Sequence, residues 1–148
     1  MKSLLFLLAI SLSAEIAFAC RCVELGVRRA YADADAVALL HIEAVSALPT
    51  GVSQARANVS RTWKTGLPTS VVVSTSDIDM CEYPLREGDD LLLYLKHDGK
   101  GLWETYKCWG NLPKARASKR IEWLDRYGKS TPVTGRHKAE SPTGDNFP

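Results

Sequence analysis

The chain has 148 residues, 45% of them hydrophobic and 24% charged, with a formal net charge of +2 at pH 7. That balance is ordinary for one globular domain and excludes a wholly disordered chain. The single long apolar run, Leu4–Ile10, is too short to cross a bilayer, which takes about 20 residues, so no transmembrane segment is expected.

The run "LLFLLAI" follows Lys2 and precedes a polar stretch holding Ser11, Ser13 and Glu15. Ala17-Phe18-Ala19 then supplies the small-x-small pattern of a cleavage site. Residues 1–19 therefore read as a signal peptide, which predicts a secreted or periplasmic protein whose mature chain starts at Cys20. Lipid attachment to Cys20 is the alternative. Ala19 suits it, but Phe18 is bulky and no leucine stands at Ala17.

The cysteines are Cys20, Cys22, Cys81 and Cys108. An even number in an exported chain argues for disulfides. A Cys20–Cys22 bridge would close a very small strained ring, so both N-terminal sulfurs are expected to reach distant partners, in either of two pairings. Residues two apart in an extended segment face one side, so this pair can clamp a single segment at two places. Each such bridge contributes roughly 4–5 kcal/mol of loop-closure entropy, less any strain. Most termini fray, and a doubly fastened one implies that its position is used.

The elements follow in order. "ELGVRRAYAD" predicts a short helix between Val23 and Asp33, with Val27 and Tyr31 on one face. Ala36–Val45 alternates as a strand, with Ala38, Leu40, Ile42 and Ala44 on one side. Pro49-Thr50-Gly51 breaks it. A second strand fits Ala55–Trp63, a turn Lys64–Pro68, and a third strand Val71–Thr75. The polar loop carrying Cys81 ends in Glu87-Gly88-Asp89. Asp90–Lys96 and Leu102–Cys108 read as the fourth and fifth strands, and Lys114–Tyr127 as a helix with Ala117, Ile121 and Leu124 recurring on one face. Five short strands with two helices predict a mainly-β fold, a five-stranded OB-type barrel over residues 20–127. Beyond Gly128 the composition predicts a flexible tail, 128–148.

Lys107, Lys114, Arg116, Lys119, Arg120, Arg126, Lys129, Arg136 and Lys138 make the C-terminal part basic against only Glu122 and Asp125. With no interleaved aromatics apparent, this reads as a solvated helix face and tail, and no nucleic-acid partner is expected. No HExxH, GxSxG or P-loop pattern occurs, and His41, His97 and His137 lie far apart. An enzyme is not expected, nor a bound cofactor.

Taken together, several stretches resemble the inhibitory N-terminal domain of the tissue inhibitors of metalloproteinases, in the netrin-like OB-fold group. They are a mature Cys-x-Cys start, a helix with Ala30-Tyr31, "ADAVALLHIEAV", "VSRTWKTG", "DMCEY", "REGDDLLLYL" and "TYKCWGNL". The resemblance covers most of Cys20–Leu124. It implies disulfides Cys20–Cys81 and Cys22–Cys108 and a zinc metalloproteinase as partner; the chain itself is expected to be a monomer. It also implies an inhibitory edge made of Cys20, Arg21, Cys22 and Val23 beside Asp79, Met80, Cys81 and Glu82. In that family the first residue's α-amine and carbonyl oxygen chelate the target's catalytic zinc; here that residue is Cys20, and the zinc is supplied by the target. An α-amine with a pKa of roughly 7.7–8.0 loses its proton readily to become a nitrogen ligand, and catalytic zinc keeps a position open for it.

Two positions depart from the family pattern. Arg21 stands where a small hydroxyl residue is general, and Glu24 where proline is common. Burying an unpaired guanidinium in an apolar pocket costs several kcal/mol. The target must therefore offer a carboxylate or a wet pocket. Otherwise the scaffold is a netrin-like module that binds protein or anionic glycan without inhibiting.

Overall fold

The computed structural model describes residues 22, 23, 25–75, 82–131 and 133. The expected signal peptide lies outside them, as do Cys20, Arg21, Glu24, Asp79, Met80 and Cys81.

Alternating apolar residues build the barrel. Strand β1 (Ala36–Ala47) pairs antiparallel with β2 (Ser53–Trp63) on one side and, through Ala36–His41, with β4 (Asp90–His97) on the other. Strand β3 (Ser70–Thr75) runs antiparallel to β2, and β5 (Trp103–Thr105) lies parallel to β3 and antiparallel to β4. The cycle β1-β2-β3-β5-β4-β1 closes with this one parallel contact, the order of an OB-type barrel. The register of β1 against β2 shifts between Leu39 and Leu40 and again between Ile42 and Ala44. Such bulges bend a strand and strengthen its twist, as closure of so small a barrel requires. Ser60 Oγ donates to the Leu39 carbonyl at 3.0 Å at the first shift.

Over Ala36–Leu40 of β1 and Leu91–Leu95 of β4 both faces are covered, which accounts for the continuous apolar runs there. Ala36, Ala38, Leu40 and Ile42 point into the barrel together with Leu91, Leu93 and Leu95. The opposite parity, Val37, Leu39, Leu92 and Tyr94, faces outward under α1 (Val27–Asp33) and α2 (Ser118–Tyr127). Ala30 of α1 and Ala117 and Leu124 beside and on α2 complete this second core around a fully buried Trp63. The Trp63 indole donates to Asp125 of α2 at 3.1 Å, which joins barrel and helix by a hydrogen bond as well as by contact.

The expected class, a closed five-stranded barrel with a helix near each end, is the one observed. The fifth strand is shorter than its sequence range; after Thr105 the chain enters a 3-10 turn, Lys107–Trp109. The C-terminal helix begins at Ser118 rather than Lys114, because Lys114–Arg116 form their own 3-10 turn. Strand β6 (Leu112–Pro113) adds to β4, and β7 (Ser130–Thr131) pairs with Thr62 and Trp63 of β2. Val133 packs against the barrel core. The fold thus continues past Gly128, where composition placed the start of a tail. Two ladder pairs and one apolar contact need no periodicity. Among the described residues, no helix is long and apolar enough to cross a membrane.

Candidate functional site

The N-terminal segment is fastened where the sequence placed its clamp. Cys22 is bridged to Cys108, with Cα atoms 5.0 Å apart and a sequence separation of 86. Cys108 sits in the 3-10 turn after β5, and that turn is itself held by buried Asn111. The Asn111 Oδ1 accepts from the Tyr94 backbone N–H at 2.8 Å, while its Nδ2 donates to Thr105 Oγ1 at 2.7 Å and to the Tyr106 carbonyl at 3.0 Å. A side chain satisfied three times inside the fold leaves little freedom for the residues around it.

Gly110 makes the turn possible. Its φ is +96°, and a Cβ there would come within 2.9 Å of Arg120 Nη1 and 3.2 Å of Ala30 Cβ. The space serves Arg120, which reaches from α2 so that its Nη2 donates to the Leu25 carbonyl at 3.0 Å. The described start of the chain is therefore held at Cys22 by sulfur and at Leu25 by a guanidinium. Between these points Val23 projects outward, 81% exposed. A cleft of about 140 Å³ lies alongside, walled in part by Cys22, Val23, Lys107 and Leu112.

The second part of the expected edge is only partly described. Glu82 accepts a hydrogen bond from Thr75 Oγ1 at the end of β3. Hydrogen bonds from Thr75 and then from Ser53 hold the Glu82 carboxyl below the usual carboxylate range. Its bonds go to β2 and β3 and not to the Cys22–Cys108 bridge. Tyr83 and Leu85 then turn into the barrel core. The ends of the segment that carries Asp79, Met80 and Cys81 are thus joined across Thr75 and Glu82. The expected Cys20–Cys81 bridge and the roles of Arg21, Asp79 and Met80 lie outside the described residues.

Other residues that support the site escaped the sequence reading. Lys64 has φ +77°, and its ammonium donates to the carbonyls of Tyr31, Ala32 and Ala34, the first two at 2.9 Å. It satisfies the carbonyl end of α1, where positive charge is also favoured by the helix dipole. On the outer side of α2, Trp123 stands 5.8 Å from Tyr31 and 5.4 Å from Tyr127, centroid to centroid. The basic end of the chain therefore does carry aromatics, gathered from two helices. Gly110-Asn111 was the one local sign of a turn after Cys108.

His41 meets Asp90 at 2.9 Å on the surface, and His97 lies against Trp103. Among the described residues, no group of three or more His, Cys, Asp or Glu side chains is placed to hold a metal ion. Compared with known families and with curated proteins, the chain matches no family model and no curated sequence.

Proposed function

We propose that the protein is an exported inhibitor of zinc metalloproteinases, that it is not an enzyme, and that its N-terminal residue, Cys20, is the inhibitory group. The single observation that supports this reading best is the Cys22–Cys108 bridge. It fixes the chain two residues from the expected terminus, next to an exposed Val23 suited to contact a partner. On this reading the α-amine and carbonyl oxygen of Cys20 displace water from the target's zinc. Val23 and the Asp79–Glu82 segment then lie along the cleft. Fixing these atoms beforehand reduces the entropy lost on docking. Arg21 enters the neighbouring specificity pocket and selects targets that present a carboxylate or water there.

The test uses the mature protein with an authentic Cys20 terminus and a form extended by one alanine, each titrated against a panel of zinc proteases. The authentic form is expected to inhibit at least one and the extended form to lose most of that potency. Equal potency, or no inhibition across the panel, rejects chelation by Cys20.

A second reading has an observation of its own. Tyr127 is 60% exposed and lies beside Trp123, with Lys119, Glu122 and Arg126 around a shallow depression on α2. Aromatic faces amid cations suit an anionic glycan. Retention on heparin that falls with modest salt and disappears in a Trp123→Ala, Tyr127→Ala double variant supports this module reading; flow-through at low salt excludes it.

A further inference from the structure

The basic stretch that begins at the bridge has no part in the proposed chelation, yet the fold brings it to the same edge. From Lys107 to Arg120 the chain carries Lys107, Lys114, Arg116, Lys119 and Arg120 and no aspartate or glutamate. The stretch starts in the turn that holds Cys108, passes through β6 and a second 3-10 turn, and ends in the first turn of α2. The Cys22–Cys108 bridge and the Arg120–Leu25 hydrogen bond tie both of its ends to the described start of the chain. In the cleft beside Val23, the charged residues of the described lining are Lys107 and Arg120, both cations. Lys107, Lys114, Arg116 and Lys119 are all exposed. Among the described residues, the one ion pair these four make is a loose contact of 3.9 Å between Lys114 and Asp90.

We propose that this stretch steers the docking edge onto proteases whose surface beside the active site is acidic. Like charges gathered at one edge raise the local concentration of an oppositely charged partner and speed its association by about 10–1,000-fold. A solvated helix face would serve solubility equally well with mixed signs. Here acids are absent over the whole stretch and return only at Glu122 and Asp125, further along α2. Exposed cations at the rim of an interface act on the rate of association and on its salt dependence. The inference rests on the reading of the N-terminal segment as the docking edge, and adds to it the charge of the target.

The test is the association rate of the mature protein with a protease from the panel that it inhibits, measured from low to high salt. The wild-type rate is expected to fall at least about 10-fold over that range as the charges are screened. At low salt the double variant Lys107→Glu, Lys114→Glu should associate at least about 10-fold more slowly and with a shallower salt dependence. A second double variant, Lys100→Glu with Lys129→Glu, makes the same change of net charge at positions that do not line the cleft, and should stay within about 3-fold of the wild type. Equal slowing in both variants means that net charge alone matters and overturns the proposal. An unchanged rate in the first variant overturns it too; if heparin retention is lost there at the same time, the stretch serves a glycan instead. Either result leaves chelation by Cys20 standing, provided that the wild type inhibits. No inhibition by the wild type across the panel removes the docking edge and this inference together.

Discussion

Replacing Cys22 and Cys108 together by serine removes the covalent hold on the N-terminal segment without leaving a free thiol from this pair. The bridge closes a span of 86 residues. Loop-closure entropy for such a span is about 15 cal/mol/K, or about 4.6 kcal/mol at 25 °C. Residual structure in the unfolded chain reduces such figures, so a loss of about 2–4 kcal/mol is expected. The assay is urea unfolding of the mature protein followed by tryptophan fluorescence, with Trp63 as a fully buried reporter. The barrel core contains neither cysteine, so the far-ultraviolet circular dichroism of the folded variant should match the wild type. In the same variant the described start of the chain keeps the Arg120–Leu25 hydrogen bond and the packing of Leu25 against the outer core, and the Cys22 and Val23 amides should exchange much faster. A stability loss below about 0.5 kcal/mol, with exchange unchanged, would refute the idea that this bridge positions the terminus; that is the range of ordinary surface substitutions.

Substitutions at three further positions test the supports of the site. Gly110→Ala puts a Cβ at positive φ against Arg120 and Ala30, and a loss of at least about 2 kcal/mol in thermal unfolding is expected. Lys64→Ala removes the ammonium from the carbonyls of Tyr31 and Ala32 in α1 and of Ala34 just after it, while retaining a backbone at φ +77°. Its loss, about 1.5–3 kcal/mol, should exceed that of Lys64→Gly by about 1 kcal/mol, because glycine tolerates this conformation. Glu82 has a depressed folded pKa. Its contribution is therefore complete above the unfolded carboxylate value, about 4.3, and is lost as pH falls through the folded value. Stability measured from pH 6 to pH 3 should fall less steeply in Glu82→Gln than in the wild type; parallel curves would contradict the assignment.

The barrel was legible because its strands obey a period of two. Ala38, Leu40 and Ile42 were placed on one face by alternation alone, and that face is the barrel interior. Alternation did not disclose that Val37 and Leu39 are also covered, since α1 and α2 arrive from elsewhere in the chain. Nor could it place Ala44 correctly, because the shift after Ile42 hands the inward position to Val45. The early end of the fifth strand has a distant cause too: Cys108 answers to a partner 86 residues away. Strands β6 and β7 hold two residues each, too few to show any pattern. At the site, Cys22 and Cys108 were legible as chemistry, and the family resemblance supplied their pairing. Arg120, Asn111 and Lys64 were not, because each acts on backbone groups far from it in sequence, a role that residue type does not announce.

The proposed inhibition depends on an unblocked amino group at Cys20, and that dependence can be measured on one molecule. The mature protein is carbamylated at mildly acidic pH, so that the α-amine reacts and the more basic lysines do not. Its inhibition constant is then compared with that of untreated protein against a protease from the panel that it inhibits. The account predicts a loss of at least about 10-fold, since disturbing even an outer partner of a metal ligand costs about 10–100-fold. Unchanged potency after complete modification of the α-amine would contradict it.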